Sequence, residues 1–298
     1  MILPKFIFQA KENLIEKPWG GDWIPRIKGF KGTQIGESWE FSAHPSNPSK
    51  VLIKNKPVSL IDLINQAKVE ILGKLASKYN KFPILVKILD ISDRISVQVH
   101  PSDEVAKLFN EKDRGKSEAW LILGTGKVYI GFKDLVLPSE IDENGNIINK
   151  LNKFDANFLD TFKIPPGIVH YAERSQILEV SNNSNVTYKI YDFYGRRVEI
   201  EKAKKAIFFK KTSEKEVKGE KGKVSMENFS IEVLNISGSK EFSIDTFNIL
   251  FLIDGYLLLK SDNELAELHK GYSCLVPALT RKFIMESDYA LVALIKPL

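Results

Sequence analysis

The chain has 298 residues, 43% of them hydrophobic and 27% charged. These are ordinary proportions for a water-soluble globular protein and exclude a disordered or collagen-like chain. No apolar run reaches the roughly 18 residues that would span a bilayer. The charged residues inside MILPKFIFQAKENLIEKPWGG make that start a poor secretory leader. One cysteine, Cys274, leaves no pair for a disulfide and no cysteine zinc cluster, so the expected compartment is the cytoplasm. The net charge of +5 is spread along the chain except over Lys202–Lys223. That stretch lacks the interleaved aromatics of an RNA-binding surface, and no partner of nucleic-acid or membrane type is expected.

Residues 1–50 carry short apolar runs between Gly and Pro signals, as in PWGGDW and IGESWEFSAHPSNPS. They read as strands, with Trp19, Trp23 and Trp39 as core aromatics. Over 57–80 the pattern changes. Leu60, Leu63, Ile64, Ala67, Ile71 and Leu75 recur at helical spacing, with Ser59 and Asp62 placed as a capping box. FPILVKILDISDRISVQV then reads as two strands around a turn at Ile91–Arg94. Period-two alternation puts Ile95, Val97 and Val99 on one face and Ser96, Gln98 and His100 on the other. Ser102 or Asp103 caps a short helix ending near Gly115.

Strands resume at Glu118 and run to about residue 195, followed by a charged connection over about 200–224. The segment 225–298 reads as short strands with turns at Ser237–Gly238, Asp254–Gly255, Gly271 and Pro277. Regularly spaced strands predict a mainly β fold of two jelly-roll or β-barrel domains, with inserted α-helices in the first. The expected division is 1–222, with helical insertions at about 57–80 and 102–113, and a smaller 223–298 unit without metal ligands.

Four histidines limit any imidazole chemistry: His44, His100, His170 and His269. Gln98 and His100 share a strand face. Glu118 opens the next strand, and His170 follows the turn Pro165–Gly167. Two histidines, a carboxylate and a further donor suit a divalent metal whose shell water or substrate completes. Taken singly, each histidine could be a hydrogen-bonded interior residue. Together with Gln98 and Glu118 that reading weakens, because buried unpaired imidazole and carboxylate groups are costly. His44 reads as a surface or outer-shell residue and His269 as exposed.

The segments KFPILVKILD, ISVQVHP, GKSEAW, PPGIVHYA and TYKIYD, with the earlier WGG and IGESWEFS, resemble the zinc-dependent cupin type of the mannose-6-phosphate isomerase family. The likeness covers about residues 15–200, and 225–298 matches the family's second cupin domain in outline. Eighteen positions separate His100 from Glu118, which is the family's variant of the first cupin motif. The resemblance implies interconversion of mannose 6-phosphate and fructose 6-phosphate through an enediol. It implies one zinc or other divalent metal per chain on Gln98, His100, Glu118 and His170. Lys116 falls on the family's substrate-contacting lysine, and Glu179 on its acid–base glutamate. Lys189 stands where the family carries a catalytic arginine, so either Lys189 takes that role or Arg196 or Arg197 reaches in. Ser96 and Arg197 are candidate substrate contacts on a phosphosugar. A metal isomerase for another sugar, or a non-catalytic sugar-phosphate binder, are the alternatives, and the chain is expected as a monomer or homodimer.

Overall fold

The computed structural model describes residues 3–298, so Met1 and Ile2 of the start read as a poor leader lie outside the described residues. Strand β1 (Leu14–Gly21) leads through the helical turn α1 (Trp23–Ile27) into β2 (Ile35–Phe41). A separate hairpin, β3 (Lys50–Ile53) with β4 (Lys56–Ser59), precedes helix α2 (Leu60–Leu72). Then follow β5 (Ile84–Arg94), β6 (Val97–Val99), α3 (Asp103–Leu108), β7 (Glu118–Ile122) and β8 (Gly126–Phe132). β9 (Leu151–Ala156), β10 (Thr161–Ile164), β11 (His170–Asn182) and β12 (Tyr188–Tyr191) complete a ten-stranded antiparallel sheet. Helices α4 (Ile200–Ala206) and α5 (Glu214–Val217) lead to a six-stranded sheet. It comprises β13 (Lys223–Ser225), β14 (Phe229–Ser243), β15 (Asn248–Ser261), β16 (Glu264–His269), β17 (Ser273–Val276) and β18 (Lys282–Pro297). The fold is mainly β and of the cupin type.

The hub is β11. Its later half pairs with β5 on one side and β7 on the other, while its start pairs with β8 and places His170 opposite Gln98. A strand covered on both faces is expected to be apolar on both. β5 meets this demand with ILVKILDI, buried throughout Ile84–Ile91.

The helical insertions behave differently from each other. α2 buries Leu60, Leu63, Ile64, Ala67, Ile71 and Leu72, as its spacing predicts. The expected capping box does not form: Ser59 makes no side-chain cap bond, and the Leu60 N–H donates to Ser49 O instead. α2 kinks at Ala67 and ends at Gly73 with φ +60°, where a Cβ would lie 2.1 Å from Asp245 O. In α3 the cap is present, because Ser102 Oγ accepts from the Val105 N–H. That helix stops at Leu108, well short of Gly115, after which Asn110 turns the chain with φ +53°. Asp103 Oδ1 accepts from the Gly115 N–H, and the Lys116 N–H donates to Pro101 O. The excursion is thereby closed, and Lys116 and Glu118 return beside the strand they left.

Three expectations on local structure need correction. β5 runs through Ile91–Arg94, and the break falls at Ile95–Ser96. β14 and β15 run through Gly238 and Gly255, where the pairing with β18 shifts register. Both glycines hold positive φ, +86° and +87°, so they make bulges that bend long strands where turns were expected. The charged 200–224 connection contains α4 and α5, anchored by the buried Ala203, Ala206 and Val217.

The buried apolar residues form three clusters, one of which draws on both sheets. Phe82 packs on Phe247 with ring centroids 4.6 Å apart, and Ile7 pairs with Leu275 through two backbone bonds of 2.9 Å. Among the described residues, no helix is long and apolar enough to cross a membrane.

Candidate metal centre and adjoining cavity

Three strands and one turn bring the candidate ligands together. β6 carries Gln98 and leads directly to His100, β7 opens with Glu118, and β11 opens with His170 after the turn at Gly167. His100, Glu118 and His170 are fully buried, and their candidate ligand atoms lie within 4.8 Å of one another. Glu118 Oε2 is 3.3 Å from His100 Nε2, and Oε1 is 3.4 Å from His170 Nε2. Each imidazole Nδ1 lies 2.9 Å from a backbone carbonyl, Val186 O for His100 and Ile168 O for His170. A carbonyl only accepts, so each Nδ1 carries the proton and each Nε2 lone pair points inward. His100 Nε2 and Glu118 Oε1 have no hydrogen-bond partner. Buried polar atoms left this way are rare. A divalent cation suits this set of nitrogen and carboxylate donors, so the residues fit the group.

The charges are arranged to keep these groups in ligand form. Burial, together with the nearby Lys116 ammonium, brings the His100 imidazole down to about 4. Burial would raise Glu118, but Lys116 and His100 outweigh it and hold the carboxyl well below its usual range. Lys116 Nζ stands 2.6 Å from Glu118 and 2.9 Å from Glu179. Burial alone would lower its pKa, yet the two carboxylates raise it, so it stays an ammonium. Glu179 is pushed up, first by burial and then by Glu118, against the pull of Lys116 and Lys87. Gln98 touches the cluster with its amide nitrogen, 3.2 Å from His170 Nε2, while its oxygen accepts from Ser96 Oγ at 3.1 Å. Ligation through Gln98 Oε1 requires the amide to turn over.

Beside the cluster lies a cavity of about 260 Å³ whose lining includes Ser96, Gln98, Lys116, Glu179, Lys189 and Arg196. Lys189 sits opposite Gln98 in the β6–β12 ladder and has no carboxylate partner within 4.0 Å among the described residues. Arg196 is tied to Asp192, with its Nη2 2.7 Å from Oδ2. Arg197 does not belong here. It is exposed and lines a separate open groove with Asp142, Glu143 and Glu201. His44 also needs correction: it is buried, 3.0 Å from Asp113, and packed edge-on to Trp39. His269 is exposed on the edge strand β16.

The cavity holds further charged residues that the sequence reading did not single out: Lys17, Glu37 and Lys87. Lys87 had a visible signal, a lysine inside the otherwise apolar run ILVKILDI. A cation buried in such a strand must be partnered. Glu37 is brought to about 2, since Lys87 and Lys17 overcome the upward push of burial.

Comparison with known proteins follows the same lines. A profile described as "Phosphomannose isomerase type I, catalytic domain" matches residues 12–119, and "Mannose-6-phosphate isomerase, cupin domain" matches residues 220–295. A Bacillus subtilis protein described as "Probable mannose-6-phosphate isomerase GmuF" is 30% identical over 305 aligned residues, covering 91% of this chain and 93% of the relative. The chain belongs to the mannose-6-phosphate isomerase family. The structure titled "The structure of a putative mannosephosphate isomerase from Archaeoglobus fulgidus" superposes with a TM-score of 0.94 at 44% identity, covering 100% of this chain and 99% of that one. The mannose 6-phosphate isomerase of Bacillus subtilis gives 0.85 at 27% identity, over 98% and 100%. Members of the mannose-6-phosphate isomerase family are aldose–ketose isomerases, and the cupin-domain match shows that the likeness extends into 220–295, which the motifs suggested only in outline.

Proposed function

We propose that this protein interconverts mannose 6-phosphate and fructose 6-phosphate in the cavity beside His100, Glu118 and His170. The observation that carries this reading is the pairing of an inward-facing His–Glu–His cluster, in which His100 Nε2 and Glu118 Oε1 lack a hydrogen-bond partner, with a cavity lined by cationic side chains. His100, Glu118, His170 and a turned-over Gln98 would hold a divalent cation, and zinc suits the donor set. Bound there, the cation would supply Lewis-acid chemistry to polarise a substrate oxygen.

The reaction moves a hydrogen between C1 and C2 as a proton. It needs a group that takes and returns that proton, charge to stabilise the enediolate, and cations for the phosphate dianion. Glu179 suits the first task because its raised pKa keeps its basicity nearer working pH than that of an ordinary carboxylate. Lys116, locked as an ammonium between Glu118 and Glu179, donates to a substrate oxygen. Lys87 lies on the same wall, 3.9 Å from Glu179 Oε1. Lys189, Arg196 and Ser96 offer a phosphate or a sugar hydroxyl their charge and hydrogen bonds. The single buried Cys274 suits a cytoplasmic protein.

The test is turnover of mannose 6-phosphate before chelation, after chelation and after return of zinc. Loss and recovery are expected. Activity that survives complete metal removal would refute the metal role. Turnover confined to other phosphosugars in a substrate panel transfers the reading to a different sugar. Tight binding of mannose 6-phosphate with no turnover makes the protein a binder.

A further inference from the structure

Strand β5 places Lys87 in a row of four residues across the sheet. Trp39 of β2 lies opposite it on one side, Glu179 of β11 opposite it on the other, and Trp120 of β7 beyond Glu179. Lys87 is 4% exposed. Its ammonium has three donors, and one reaches Asn185 Oδ1 at 3.0 Å. The two carboxylates near it stay back: Glu37 Oε2 is 3.7 Å away and Glu179 Oε1 3.9 Å. Both separations exceed the reach of a hydrogen bond.

Glu37 is held back by its other partners. Its Oε2 accepts from the Trp39 indole N–H at 2.7 Å, and its Oε1 pairs with Lys17 at 3.0 Å. The Trp39 ring also lies under Lys87, with the ammonium 4.3 Å from the ring centroid. A ring face attracts a cation without taking up an N–H in a directed bond to oxygen. Trp39 therefore touches both groups: its ring face lies beneath the Lys87 ammonium, and its N–H holds in place the Glu37 oxygen nearest that ammonium.

We propose that Trp39 and Glu37 are positioning residues that hold Lys87 in the cavity as a cation with N–H groups free for substrate. Glu37 supplies the counter-charge that makes a buried lysine tolerable. The Trp39 N–H sets the distance, so that the counter-charge does not become a closed ion pair. This rests on the isomerase reading for what Lys87 contacts, whereas the Trp39–Glu37–Lys87 geometry stands without it.

The experiment is a double-mutant cycle with a structural readout. W39F keeps a ring beneath Lys87 and removes the indole N–H. We expect kcat for mannose 6-phosphate to fall roughly tenfold with KM little changed. In an E37Q background the same Trp39→Phe change should cost less than about twofold, because the carboxylate it restrained is gone. Equal losses in both backgrounds would show that Trp39 serves packing alone and overturn the proposal. A crystal structure of W39F should bring Glu37 within about 3.2 Å of Lys87 Nζ; an unchanged separation also overturns it. If W39F does not fold, benzothienylalanine at position 39 keeps the bicyclic shape and deletes only the N–H, and the same two readouts apply. Should the wild-type protein fail to isomerise mannose 6-phosphate, the functional reading fails, and the Glu37–Lys87 distance still decides the positioning role.

Discussion

Gln98 and His170 face each other across the β6–β11 ladder, and their side-chain nitrogens are 3.2 Å apart. On the other flank of Gln98, Lys189 is its partner in the β12 ladder. One short strand of three residues thus fixes a candidate ligand and a free cation on either side of it, at spacings set by backbone hydrogen bonds.

His100→Ala and His170→Ala are each expected to reduce bound metal from about one ion per chain to near zero, and to lower turnover by more than about 100-fold. Elemental analysis of the purified variants checks this beside the activity assay. Metal stoichiometry retained in both would exclude these two imidazoles as ligands. Gln98→Ala should weaken the metal without abolishing it, since the three buried charged or imidazole donors remain.

Lys189 tests whether a lysine can serve where the resemblance implies an arginine. It carries no ion-pair partner within 4.0 Å among the described residues, whereas Arg196 is held by Asp192. K189A should lower kcat/KM by about 100-fold or more, the scale of losing one charged donor to developing negative charge. K189R should keep most of the activity, because charge is preserved and a planar fork is gained. A larger loss in R196A than in K189A would assign the role to Arg196.

Much of this site was legible because it rests on local patterns. Alternation alone put Ser96, Gln98 and His100 on one face, and the Ser96–Gln98 hydrogen bond of 3.1 Å lies on that face. What the sequence hid were features decided by distant partners. Gly238 and Gly255 look like turn residues until a long neighbouring strand turns them into bulges. His44 looks like a loop residue until Asp113, brought round by the α3 excursion, buries it. Lys87 and Glu37 are 50 residues apart in the chain, and only the β2–β5 ladder brings their charges together. Arg196 and Arg197 are adjacent in sequence, yet one lines the cavity and the other a groove elsewhere.

Glu179 gives a pH signature. Burial and the Glu118 charge raise its pKa, so it keeps its proton to a higher pH than an exposed glutamate. A base must be deprotonated to act, so kcat/KM should fall as pH drops through that raised pKa. The acid limb of the wild-type profile should therefore lie above the pH of about 4.5 typical of a free glutamate. E179Q should lose turnover together with that limb. An E179Q profile that keeps both rate and acid limb would move the proton-transfer role to another group.

Glu37 gives a stability signature of opposite sign. Its carboxyl drops from 4.5 to about 2 on folding, because Lys87 and Lys17 outweigh the desolvation that acts the other way. The unfolded chain then binds the proton more readily than the folded one, and acid favours unfolding. The stabilisation is complete above about pH 4.5 and is lost as pH falls towards 2. A shift of that size corresponds to ~3 kcal/mol. Urea melts of wild type and E37Q, run at intervals from pH 6 to pH 2, should show a stability gap that is widest near neutrality and closes over that window. Other groups that take up protons in this window do so in both proteins and cancel in the difference. A gap that stays constant with pH would show that Glu37 is not held as a carboxylate by its two lysines, and would remove the counter-charge that Lys87 requires.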